Sequence, residues 1–181
     1  MIPSRLTQFV TPVTSENLLH ELKQSWNDVG DIDFSLAQDM TLHNLYVRSI
    51  TEDQLLTGDD VRKVWDDIDF SKKESSVRKK SVRWNIAQPA LVSGFCLSWS
   101  CELVPGVELR THPWAPATHW EQIYLPIPQV MKLEKGDQLK LEIESDTRPQ
   151  TGLRIQWYTE HKRGNEVIGE SSSDMRKGFL A

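Results

Sequence analysis

Several stretches of the chain alternate between apolar and polar positions, the period of a half-buried strand. From Phe95 to Leu103 every odd position is apolar or aromatic or Cys101, and the even positions are Cys96, Ser98, Ser100 and Glu102. Leu139, Leu141 and Ile143 alternate with Lys140, Glu142 and Glu144. Leu153, Ile155 and Trp157 alternate with Arg154, Gln156 and Tyr158, and Val82, Trp84 and Ile86 supply one more such segment. The odd faces of the Phe95, Leu139 and Leu153 strands are expected to point inward. Pro105-Gly106, Lys135-Gly136-Asp137 and the tract 147–152 have turn composition. Leu6 to Val13 and Val64 to Phe70 read as further strands.

Helical signals are confined to the first third. Thr14 or Ser15 can cap a helix with Leu18, Leu19, Leu22 and Trp26 on one face. Thr51 to Gln54 fits a capping box that opens a short turn of helix. Asp28 to Leu45 reads as irregular, and Asp174 to Ala181 as frayed. Many strands with short polar breaks predict a mainly β fold, a sandwich or barrel of antiparallel strands.

The 181 residues suit one domain with a core of its own. A net charge of −5 argues against generic nucleic-acid binding and is compatible with a basic partner. The run 71–83 holds six basic residues and one acidic residue, and reads as a solvated loop and strand edge. Cys96 and Cys101, on one strand, would lie roughly 16 Å apart on opposite faces, beyond disulfide reach. A reducing, cytoplasmic setting follows most simply. The N-terminus shows no signal-peptide pattern, and no apolar run is long enough for a membrane span.

Chemistry is sparse. His112, His119 and His161 match no compact zinc spacing, so no metal is expected. No nucleophile elbow, dinucleotide fingerprint or phosphate loop occurs, so no nucleotide cofactor is expected on these residues. Asp66, Asp67 and Asp69 read as solvated carboxylates, with Asp67 and Asp69 sharing a strand face. One segment stands out: Thr118-His119-Trp120, entered from a proline loop and followed by an apolar strand. Histidine can donate or accept near neutral pH, and an indole is a flat wall for a planar cation such as guanidinium.

That triplet resembles the Thr-His-Trp loop of the protein arginine methyltransferases. Other segments resemble the same family in its own order. Ile2-Pro3-Ser4-Arg5 is similar to the segment that opens the family's C-terminal barrel. The tract 26–35 is similar to the start of its dimerization arm, though Asp31 stands where the family has glycine. Residues 65–70 and 94–107 resemble barrel strands, and 130–139 a strand entry. The resemblance implies an antiparallel β-barrel over 1–181 with a helical arm inserted at 15–45. It implies that Thr118, His119 and Trp120 bind substrate arginine at a domain junction that includes Pro3 and Arg5. In the family, S-adenosylmethionine and the catalytic glutamates belong to a Rossmann-like domain, so this chain is expected to hold no catalytic residue and no cofactor. The implied partners are a protein or peptide arginine substrate, a second copy through the arm, and a separate Rossmann half. A stand-alone β module binding a peptide or sugar is the alternative, as is a scaffold for another methyltransferase.

Overall fold

The computed structural model describes residues 2–24, 26, 32–116 and 118–178. Among the described residues, ten strands and two α-helices follow one another as β1 (Arg5–Val13), α1 (Glu16–Gln24), α2 (Ser35–Thr41), β2 (Tyr46–Arg48), β3 (Lys63–Asp69), β4 (Val77–Asn85), β5 (Ala90–Val104), β6 (Val107–Arg110), β7 (Gln122–Leu133), β8 (Gln138–Asp146), β9 (Arg154–Arg163) and β10 (Glu166–Asp174). All strand pairs are antiparallel. One sheet runs β2-β7-β5-β1-β3, with β6 also paired to β5, and the other runs β10-β9-β8-β4.

The two sheets share one core. Val10, Trp65, Phe95, Leu97, Leu125 and Ile127 of the first pack with Trp84, Leu139, Leu141, Ile143, Ile155 and Trp157 of the second. Two indoles also hydrogen-bond inside this assembly. Trp157 Nε1 donates to the Pro126 carbonyl at 2.9 Å, and Trp84 Nε1 donates to the Val61 carbonyl at 2.6 Å. Such partners are what allow a buried indole to keep its N–H out of water. No ladder joins β3 to β4 or β10 to β7 among the described residues, although each pair lies in contact, so the pairings give two sheets and no closed ring.

The inward odd face is found at Phe95 and Leu97, and at Leu139, Leu141 and Ile143. It fails at Leu153, which is exposed because the strand begins one residue later, at Arg154. The even face of β5 is not solvated either: Cys96, Ser98 and Ser100 are buried. The amphipathic helix α1 lays Leu18 and Leu22 over it, with Val13, Ile50, Leu55 and Tyr124 completing a second cluster around Cys96. The Cys96 thiol is pushed up to about 12 by burial, an inert environment. Both cysteines are free.

Other expectations need correcting. Residues 35–41 are helical where irregular chain is expected, although Asp28 to Asp31 lie outside the described residues. Trp26 follows α1 rather than extending its face; it stacks on Phe34 at 5.9 Å and donates to Thr41 Oγ1 at 2.9 Å. That contact joins α1 to α2. Residues 175–177 form a 3₁₀ turn rather than a frayed end, with Met175 against the main core. The last three residues lie outside the described ones.

The basic run is mostly exposed, as expected, but Arg78 pairs with Asp66 at 3.0 Å and with Glu74 at 3.5 Å. Asp137, in the turn before β8, accepts from His161 Nε2 at 2.7 Å and from Arg163 Nε at 2.8 Å. The Arg163 guanidinium is the main reason its carboxyl sits well below the usual carboxylate range. Among the described residues no helix is long and apolar enough to cross a membrane.

Gly94 sits beside a register shift in the β5–β7 pairing. A Cβ there would meet the Leu125 carbonyl oxygen and the Tyr124 ring, each at 2.4 Å. Neither is the end of a flexible chain, so the substitution overpacks the seam. Gly94→Ala is expected to cost about 2 kcal/mol in urea unfolding; a loss below about 0.5 kcal/mol would contradict this packing.

Candidate functional site

The loop carrying the Thr-His-Trp triplet emerges from a gap in strand pairing. β1 covers one edge of β5. On the other edge, β7 covers Ala90–Leu97 and β6 covers Ser100–Val104. The chain therefore leaves β6 and re-enters at β7 beside the middle of β5, and residues 111–121 bridge the step.

Both ends of the loop are fastened. Thr111 donates its N–H to the Trp99 carbonyl at 2.9 Å and accepts from the Trp99 N–H through Oγ1 at 3.0 Å. The buried Gln122 amide donates to the Thr111 carbonyl at 2.7 Å and accepts the Ile50 N–H at 2.9 Å. One side chain thus ties the loop's start, the head of β7 and the segment returning from the helices. Ser49 Oγ donates to Glu121 at 2.5 Å beside it.

Within the loop, Thr118 Oγ1 donates to the Trp120 carbonyl at 3.1 Å. His119 is exposed, and its ring lies 6.5 Å from that of Trp120. Trp120 meets the Trp99 ring edge-on at 6.0 Å and remains 53% exposed. The indole is therefore braced from one side and open on the other, not buried in the core.

An open groove of about 810 Å3 runs beside the loop, and Arg5, Glu102, Glu108, Arg110, Pro116 and Thr118 line it. The structure thus brings Thr118 and Arg5 to one groove. His119, Trp120 and Pro3 do not line it. Arg5 is engaged in an ion pair with Asp67, whose carboxyl it pulls below the usual range. Asp66 accepts from Gln8 and Arg78, and Asp69 pairs with Lys72 at 2.7 Å. All three carboxylates of that strand are thus held in ion pairs. Of the groove's remaining charges, Glu108 and Arg110 pair with each other at 2.6 Å, and Glu102 accepts from Ser4 Oγ at 3.3 Å. The alternation of Glu108 and Arg110 in Val107–Arg110 is visible in the sequence, but nothing there points to the groove.

Behind the loop lies an aromatic cluster. The buried His112 stacks on Trp114 at 5.7 Å, meets Phe9 edge-on at 4.9 Å, and shares a 3.1 Å hydrogen bond between Nδ1 and Ser98 Oγ. The Arg62 guanidinium lies 4.6 Å from the Phe9 ring centre and 5.3 Å from that of Trp114. Among the described residues no three histidine, cysteine or acidic side chains gather as a metal site would require.

Comparison with known proteins places this architecture. Residues 4–161 match the model of the arginine methyltransferase oligomerization subdomain. The chain belongs to that family. It is 23% identical to protein arginine N-methyltransferase 1 of Saccharomyces cerevisiae over 160 residues, 84% of this chain and 45% of the relative. It is 21% identical to the Dictyostelium discoideum protein of the same name over 140 residues, 76% of this chain and 41% of the relative. The subdomain therefore spans less than half the length of these curated relatives. Among solved structures, Trypanosoma brucei PRMT1 in an enzyme–prozyme heterotetrameric complex with AdoHcy superposes with a TM-score of 0.78 at 18% identity, covering 96% of this chain and 57% of that one. Arabidopsis thaliana protein arginine methyltransferase 10 gives 0.68 at 16% identity, covering 96% and 60%. These structural likenesses establish the fold of the subdomain.

The cluster behind the loop has a pH signature. Burial, then the nearby Arg62 and Arg110 charges, lower the His112 pKa from 6.5 to about 4, with Glu108 opposing. A histidine depressed in the folded state is protonated first in the unfolded chain. Its share of stability is full above about 6.5 and is lost as pH falls toward about 4, by at most about 3 kcal/mol. An NMR titration should show the His112 imidazole midpoint near 4; a midpoint at or above the ordinary value would contradict the cluster's geometry.

Proposed function

We propose that this chain acts as the oligomerization and substrate-positioning part of a protein arginine methyltransferase, with S-adenosylmethionine bound by residues outside this sequence. The observation that carries the reading is the family match over 4–161 combined with a Trp120 indole braced by Trp99 and open to solvent. In this role the indole offers its face to the guanidinium of a protein substrate, the contact that suits a planar, weakly hydrated cation. His119, exposed beside it, offers a hydrogen bond to the donor-binding side of the junction. Thr118 holds the loop's turn, and Pro3 and Arg5 belong to the same seam. The step in the parent enzyme then rests on holding donor and arginine together, to which this chain contributes orientation rather than a reacting group.

The helical segment 15–45 is the arm of the proposed dimer. Ile32 and Leu36 stand exposed in it, and an exposed apolar pair suits burial against a second copy. The barrel of the family reading corresponds to closing the β3/β4 and β10/β7 seams by side-chain packing rather than by ladders. A second reading is favoured by the enzyme–prozyme complex of the trypanosomal relative: the chain as a scaffold subunit for a separate methyltransferase.

Two measurements test the proposal. Sedimentation should show self-association that Ile32→Glu with Leu36→Glu abolishes; equal sedimentation of the two proteins would overturn the oligomerization role. Calorimetry of the chain with S-adenosylmethionine should show no saturable heat up to about 1 mM ligand; clear binding would overturn the placement of the donor outside this sequence.

A further inference from the structure

We propose that Arg62, held between the Phe9 and Trp114 rings, anchors a binding site for a small carboxylate carried on a flat apolar body. The site is separate from the Thr118 groove and does not rest on the methyltransferase reading. It opens behind the loop, in a pocket of about 540 Å3 that Leu55, Leu56, Val61, Arg62 and Trp114 line with the acidic Glu52 and Asp60.

The argument begins with what Arg62 lacks. It is half-buried, and its charge is held by two aromatic faces. Among the described residues it forms no ion pair and donates no hydrogen bond. The acids close by are otherwise engaged: Asp60 pairs with Lys63, and Glu108 with Arg110. Glu52 sits in the 3₁₀ turn at 52–54 and lines the pocket, without an ion pair to Arg62. Ring faces stabilise the cation, but they accept none of its five N–H donors. Burial, then the neighbouring Arg110, act against the charge and lower the Arg62 pKa, with Glu108 opposing. A guanidinium fixed in one plane, with its donor edge unmatched, is pre-organised for a bidentate carboxylate.

The walls define the rest of the ligand. Trp114 is 40% exposed although Arg62 lies over its ring and His112 stacks on it, so an open indole edge stands next to the cation. Leu55 and Leu56 supply an apolar floor. A planar ring bearing one carboxylate satisfies both, with the ring on the apolar floor against the indole edge and the oxygens on the guanidinium. Glu52 and Asp60 in the lining disfavour ligands with more than one negative charge, which selects a monocarboxylate over phosphate.

Titration of the full chain with benzoate at neutral pH tests the site. Saturable binding with a Kd of about 1 mM or tighter is expected. Arg62→Gln and Trp114→Ala should each weaken it at least about tenfold, and Arg62→Lys should retain part of it. Benzamide, with the same ring and no charge, should give no heat. In the unaltered protein the Arg62 Nε–H resonance should shift on saturation, which keeps the claim testable if the Arg62 variants do not fold. No saturable benzoate binding, equal binding of benzamide, an unmoved Arg62 resonance, or an unchanged Kd in folded Arg62→Gln would each overturn the proposal.

Discussion

The amide of Gln122 holds the site together. It is a neutral side chain buried at the head of β7, with its oxygen on the Ile50 N–H and its nitrogen on the Thr111 carbonyl. Both backbone groups lie where regular pairing stops, so neither has a ladder partner to fall back on. Removing the amide would leave a buried donor and a buried acceptor unmet, at about 1–3 kcal/mol each. The Thr118–Trp120 segment is an irregular loop. Its position is set by this clamp at one end and by the Thr111–Trp99 pair at the other.

The clamp works because the first sheet is buried on both sides. Its inner face joins the second sheet in the main core, and its outer face carries α1 and the cluster around Tyr124. Tyr124 donates to the Ser93 carbonyl at 2.8 Å, and burial holds its hydroxyl well above the ordinary tyrosine pKa. Tightly packed interiors transmit small displacements rather than absorbing them. A loop rooted between two such clusters therefore inherits the rigidity of both, which the proposed substrate-positioning role needs.

Much of the fold is legible in the sequence because alternation reports one-sided burial directly. The strands around Phe95, Leu139, Ile155 and Trp84 stand where that pattern puts them. Where the reading falls short, a contact distant in sequence decides the outcome. Ser98 and Ser100 look solvent-facing, yet they are buried in a central strand that sheet neighbours and α1 enclose. Trp26 has helical spacing, yet it turns away to meet Phe34 and Thr41. Helix α2 has no side-chain cap at Phe34 and buries no residue, so neither of the usual signals marks it. Of the candidate site, the Thr-His-Trp triplet is visible as a motif. Gln122 and Arg62 are not, because their significance lies in partners 72, 11 and about 50 positions away.

The most direct test of the clamp is amide hydrogen exchange in Gln122→Leu, a nearly isosteric change that removes both hydrogen bonds. The account predicts faster exchange at Ile50 and through residues 111–121, while amides of the β8/β9 pair keep the protection they have in the unaltered protein. Unchanged protection of Ile50 and of the loop would contradict it.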